Sequence, residues 1–288
     1  MLVNNLAKVF LSLVSACVSF VSILAKPAQA GVFSNGWYYS IDSFTDGLEG
    51  SRVGGTLYEV YAMAMQQNPD RVTFAINTNF PLTGDFTPLA LDGHVGWSDL
   101  ILNFTGKSLD TASVSGELFG INWVKNGSGA TELGVYKNVT AKTIAPENGM
   151  LLSDPSMRAI NRWVRSNKGT PAMGDISAED PYFNQNHLIQ NVIASGTKIG
   201  DVELLNDVSN LRLDFSQFGA RGNYIHAFSF ARNLLPNGAF VAHTTPECDN
   251  DVIAMAGVLQ PVPEPSTILS LAGLGFLLVT AKIKRQHH

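Results

Sequence analysis

The densest chemistry in the chain sits in Glu247-Cys248-Asp249-Asn250-Asp251, where three carboxylates fall within five residues. Hard oxygens at that density suit Ca²⁺, which extracellular modules bind weakly. The run lacks the full Asp-x-Asp-x-Asp-Gly-x₅-Glu pattern. A solvated turn after the last strand is therefore the preferred expectation, with Ca²⁺ on Glu247, Asp249 and Asp251 as the alternative. Cys248 lies between two acids, and repulsion from them should push its thiol up and make it a poor nucleophile. Signs of catalysis are thin elsewhere. His94, His187, His226 and His243 form no His-Glu-x-x-His, and no Gly-x-Ser-x-Gly elbow, phosphate loop or dinucleotide fingerprint occurs. A pair such as Glu59 with Glu117 would serve glycoside hydrolysis only at about 5–9.5 Å, a separation that sequence does not set. The expectation is a protein without catalytic residues or cofactors, Ca²⁺ apart.

The elements around these residues read mainly as strands. Trp37, Tyr39 and Ile41 alternate with Tyr38, Ser40 and Asp42, and Val72, Phe74 and Ile76 with Thr73, Ala75 and Asn77. The same period of two recurs at Leu100–Phe104, Phe119–Trp123, Leu133–Val139, Leu211–Phe215 and Tyr224–Phe230. Gln67-Asn68-Pro69-Asp70, Asn126–Gly129, Gly219–Gly222 and Pro236-Asn237-Gly238 supply turns. Many short strands between turns predict an antiparallel β-sandwich or jelly-roll-like domain. One short amphipathic helix interrupts it. Asp154 is its expected N-cap, Pro155 its first residue, Met157, Ile160, Trp163 and Val164 its apolar stripe, and Gly169 its end. Arg158, Arg162 and Arg165 fall on the other side, where a solvated face is preferred over a grip on an acidic glycan. Residues 167–191 read as a loop-rich insertion.

Of 288 residues, 31–260 are left for folding once the ends are set aside, enough for one sizeable all-β domain or two small ones. The chain is 45% hydrophobic and 15% charged, which excludes intrinsic disorder. Residues 31–260 hold 14 Lys and Arg against 23 Asp and Glu, a net charge of −9. Binding to nucleic acid needs cationic neutralisation of phosphates and is not expected. Residues 1–30 place Lys8 before the apolar stretch Val9–Ala25, then Lys26-Pro27-Ala28-Gln29-Ala30. That is a secretory signal peptide with a helical core, and Ala28 and Ala30 set the cleavage site before Gly31. Val14-Ser15-Ala16-Cys17 fits a lipobox, but the apolar run continues beyond it, so Cys17 leaves with the signal. Cys248 is then an unpaired thiol, and no internal disulfide is available. At the other end Thr267–Ala281 carries no charge and precedes Lys282, Lys284 and Arg285, a short transmembrane helix with a cytoplasmic basic tail.

Pro263-Glu264-Pro265, a short apolar helix with Gly273-Leu274-Gly275 and a basic tail together resemble the PEP-CTERM sorting signal. The resemblance covers residues 261–285. It implies recognition by an exosortase at Pro263–Pro265, removal of the helix, and release or attachment at the surface of a bacterium that makes exopolysaccharide. A second resemblance runs through the middle. Asn77–Gly84, Gly96–Leu100, Leu234–Gly238 and Thr245–Asp251 look like a group of cyanobacterial exosortase-dependent surface proteins of the XDD type. It implies a surface protein and supplies no catalytic residues. The expected whole is a signal peptide at 1–30, an exported β-rich domain at 31–260 and a sorting signal at 261–288. Its expected partners are the secretion machinery and signal peptidase, an exosortase, the membrane and exopolysaccharide, and its expected role is structural or adhesive. The rivals are a calcium-dependent glycan-binding module, with Trp37, Trp97 and Trp123 as candidate aromatics although core packing is preferred for each, and a polysaccharide hydrolase or lyase.

Overall fold

The computed structural model describes residues 31–149 and 155–262. The expected signal and membrane helices lie outside them, as do Ala28, Ala30, Pro263, Glu264, Pro265, Lys282, Lys284 and Arg285. No helix among the described residues is long and apolar enough to cross a membrane. The first strands are β1 (Val32–Ser34), β2 (Trp37–Ile41), the small hairpin β3 (Leu48–Glu49) and β4 (Arg52–Val53), β5 (Val60–Gln67) and β6 (Arg71–Thr78). A second small hairpin follows, β7 (Asp85–Phe86) with β8 (His94–Val95), then β9 (Leu100–Asn103), α1 (Leu109–Val114), β10 (Leu118–Asn122), β11 (Gly134–Lys142) and α2 (Met157–Ser166). The chain closes with β12 (Val192–Gly200), β13 (Val202–Leu205), β14 (Tyr224–Ala231), β15 (Gly238–Thr244) and β16 (Ile253–Leu259).

Two antiparallel six-stranded sheets result, ordered β1-β2-β5-β6-β14-β13 and β12-β11-β10-β9-β15-β16. Each is entered twice by runs of neighbouring strands, so the chain meanders within a sheet before changing over. That differs from the interleaved Greek keys of a jelly roll. The β5–β6 hairpin shows how local chemistry sets register. Asn68 Oδ1 accepts the N–H groups of Asp70 and Arg71 at 2.9 and 2.8 Å, a side-chain turn that aligns Met65 with Phe74 and Met63 with Ile76.

One apolar cluster joins the sheets. Met63, Met65, Phe74, Ile76, Phe228 and Phe230 of the first sheet meet Leu100, Leu102, Ile121, Phe240 and Met255 of the second. The outer faces are covered too. On β5, Met63 and Met65 point into this core while Ala62 and Ala64 point outward, where small side chains let Phe215 and Ala220 approach. Outside the second sheet, Ile101, Tyr136, Ile193 and Ala254 pack under α1, α2 and the 170–191 loops. With both faces buried, apolar residues occupy both parities of several strands.

Two expectations need correction. Leu211, Leu213 and Phe215 are not a strand. The segment holds 3₁₀ turns at Ser209–Leu211 and Ser216–Phe218, and Arg212 is left-handed at φ 56°. Its alternation comes from lying on the first sheet, where Trp37 Nε1 donates to the Leu211 carbonyl at 2.7 Å and the Asp214 N–H donates to Tyr39 Oη at 3.1 Å. Helix α2 starts later than expected, capped by Ser156, whose hydroxyl accepts from the Ala159 N–H at 3.2 Å. Trp163 also leaves the apolar stripe, being 38% exposed, while Met157, Ile160 and Val164 are buried. Trp37, Trp97 and Trp123, by contrast, take the core positions preferred for them, at most 1% exposed. Each indole N–H is used by a backbone carbonyl, Leu211, Pro81 and Ser98 respectively, so none offers a face to a sugar.

Candidate functional site

The Glu247–Asp251 loop connects β15 to β16 and is buried, so it is neither solvated nor beyond the last strand. Its three carboxylates have three separate duties. Glu247 accepts the N–H groups of Gly96 and Gly127, both at 2.6 Å. Asp249, left-handed at φ 55°, accepts from the Ile189 N–H at 3.0 Å and from Asn191 Nδ2 at 2.9 Å. Asp251 turns toward the first sheet and accepts the Val60 N–H at 2.7 Å. Cys248 is buried as well. Burial pushes its thiol up, with the charges of Asp249 and Glu247 adding to the effect. The expected like-charge repulsion is present but is the smaller cause.

The structure gathers a different set. Ligand oxygens of Asp46, Glu59 and Asp251 lie within 4.8 Å of one another, and all three residues are buried. Asp42 joins them electrostatically, its carboxyl raised by burial and then by the charge of Asp46. These residues come from the end of β2, the loop after it, the residue before β5 and the loop before β16. Backbone N–H groups orient each one. Asp42 Oδ1 accepts from Ser43 and Gly174, Asp46 Oδ2 from Ala172, and Glu59 Oε2 from Gly47 and Gly55. The wrap around Glu59 requires glycine. A Cβ on Gly47 would fall 2.7 Å from Glu59 Oε2, and Gly55 is left-handed at φ 62°.

Those bonds use one oxygen per carboxylate and leave others over. Asp42 Oδ2, Asp46 Oδ1, Glu59 Oε1 and the hydroxyl of Thr56 are buried without a hydrogen-bond partner. Such orphans are uncommon in folded proteins, since a buried polar group without a partner costs about 1–3 kcal/mol. Burial raises Asp46 and Glu59 to about 7, and it raises Asp251 well above the usual carboxylate range with the charges of Asp46, Asp42 and Glu59 adding to it. The oxygen-only set suits protons or a hard divalent cation. Glu117, the other half of the suggested hydrolase pair, pairs instead with Lys107 at 2.5 Å on the surface.

Beside the cluster lies an open cleft of about 500 Å³, lined in part by Leu48, Tyr58, Asp85, Asn148, Trp163 and Asn250. Tyr58 donates its hydroxyl to Asp85 Oδ2 at 2.7 Å. His226 and His243 are buried, each ring bonded through Nε2 to a carbonyl, of Phe80 and Gln190. Arg165 pairs with Glu179 on the solvent side of α2. Asp42 and Asp46 were not among the expected site residues. No sequence spacing links them to Asp251, about two hundred positions away, because only the pairing of folded loops brings them together.

A family model of the PEP-CTERM protein-sorting motif matches residues 261–286. No curated protein and no solved structure matches the chain. The matched motif directly follows the last strand, and it indicates an exported protein that is anchored in the membrane before an exosortase processes it.

Proposed function

We propose that the mature chain is a non-catalytic surface protein with a structural or adhesive role in the cell envelope or its exopolysaccharide. In this reading residues 1–30 are removed after Ala30 by signal peptidase, and Gly31 begins the mature chain. Residues 31–260 form the working domain. Residues 261–288 carry Pro263–Pro265, the membrane helix and the basic tail of Lys282, Lys284 and Arg285. The observation that carries the reading is the sorting motif at 261–286. The resemblance of the middle region to cyanobacterial surface proteins points the same way, and the buried carboxylates that hold loops fit a scaffold.

Intact mass and terminal sequencing of the protein from its native cells test this. The expected termini are Gly31 and a residue near Pro263–Pro265. Replacement of Pro263, Glu264 and Pro265 by alanine should leave the tail on, and unchanged processing would refute the sorting role. A second reading, glycan binding, is favoured by the cleft, where exposed Trp163 stands near Asp85 and Asn148. Aromatic faces beside polar groups suit sugar rings. A polysaccharide pull-down lost in Trp163→Ala would support it. Release of reducing sugar from the same polymers would overturn the non-catalytic reading.

A further inference from the structure

We infer that Asp46, Glu59 and Asp251 form a Ca²⁺ site that ties the two sheets together, with the buried carboxylate of Asp42 adding charge to it. Two features of the cluster converge on this. First, ligand oxygens of Asp46, Glu59 and Asp251 lie within 4.8 Å of one another, inside the roughly 5.2 Å that separates opposite oxygens on a Ca²⁺ ion with bonds up to about 2.6 Å. Second, backbone N–H groups hold one oxygen of every carboxylate, and Asp42 Oδ2, Asp46 Oδ1 and Glu59 Oε1 are left buried without a partner. That is how carboxylate ligands are ordinarily oriented, one oxygen fixed by the outer shell and the other given to the metal.

The donor set selects the ion. Carboxylates without nitrogen or sulfur favour Ca²⁺, Mg²⁺ or Mn²⁺ over zinc and copper. Between the first two, Mg²⁺ keeps several waters, whereas a closed set of carboxylates on irregular loops fits the larger, more adaptable Ca²⁺. The ion would join loops that belong to different sheets. Asp42, Asp46 and Glu59 sit on loops of the first sheet, and Asp251 comes from the β15–β16 loop of the second. Gly174 and Ala172 bond to Asp42 and Asp46, so the 170–175 segment would be fastened at the same point. This site is separate from the surface role proposed above and stands or falls independently of it.

The test is thermal unfolding and titration calorimetry on the full chain after EGTA treatment, with Ca²⁺ or Mg²⁺ restored. A hundredfold excess of Ca²⁺ over its Kd should raise Tm by about 5–10 °C, with a stoichiometry of one ion per chain. Mg²⁺ should do less. The double variant Asp46→Asn/Glu59→Gln should lose the Ca²⁺ response and melt above the EGTA-treated parent, because it lacks buried repulsion. Glu203→Gln, which removes a surface partner of Arg71 at 2.7 Å, should respond like the parent. No shift and no binding heat at about 10 mM Ca²⁺, above the range of weak extracellular sites, would overturn the proposal and assign the cluster to protons. So would a response preserved in the double variant. Should that variant fail to fold, Tb³⁺ emission from the unaltered chain reads the site through Tyr61, whose hydroxyl feels the charges of Glu59 and Asp251. Ca²⁺ should quench that emission and Tyr61→Phe should weaken it. Absence of either effect counts against the site.

Discussion

His243 carries a proton on Nε2, since that atom bonds the Gln190 carbonyl at 3.0 Å, and its Nδ1 is buried without a partner. A second proton would have nowhere to bond, and the flanking rings of Tyr182 and Phe183 offer no counter-charge. Burial accordingly lowers its pKa from 6.5 to about 4. As pH falls, the unfolded chain protonates this histidine first, so its contribution to stability is present above pH 6.5 and lost toward pH 4. The loss should be about 3 kcal/mol relative to His243→Phe, read from urea melts across that window. Asp175 has the opposite sign. Burial raises its carboxyl from 3.8 to about 7, so its contribution is full below pH 4 and disappears as pH rises through 7. Asp175→Asn should flatten that limb. The thiol of Cys248 should resist an aromatic disulfide reagent until the chain unfolds, because the thiolate is disfavoured by burial. At this scale the sequence disclosed which residues were chemical but not what they faced. The smaller part of the raised thiol, repulsion from Glu247 and Asp249, follows from its neighbours in sequence, whereas the larger part, burial, and the four-carboxylate cluster depend on contacts with no local trace.

Among the elements, strands whose large side chains recur at every second position, or that follow a strong turn, were legible. β2, β6, β9, β10 and β14 fall where alternation predicts them, and Asn68 sets the hairpin that turn chemistry anticipates. Alternation misleads at Leu211–Phe215 because a segment lying across a sheet can also present every second side chain to it. The helix boundary was ambiguous because Asp154 and Ser156 are both good caps. Gly222 shows a constraint that no propensity reveals. A Cβ there would fall 2.4–2.6 Å from the backbone N, O and C of Thr78, and the Gly222 N–H donates to Asn77 Oδ1 at 2.9 Å. Gly222→Ala should therefore push the loop off β6 and cost about 1–3 kcal/mol, measured as a lowered urea midpoint.

Across the whole molecule, the two sheets unfold together if their shared cluster is one core. Trp123 stacks on Phe228 at 4.8 Å between ring centres and lies 5.6 Å from Trp97, bridging the sheets. Trp123→Ala should lower a single calorimetric transition by about 3–5 kcal/mol without splitting it in two. Gln260, the residue after β16, is clamped where the chain leaves toward the sorting motif. Its N–H and carbonyl bond the Gln67 side chain at 3.0 and 2.9 Å, and the carbonyl also receives Arg232 Nη2 at 2.8 Å. Gln67 ends a strand of one sheet, whereas Gln260 continues a strand of the other. A pull on a C-terminal attachment would therefore load both sheets through this knot before it could peel β16 away, as a rivet spreads tension across two plates.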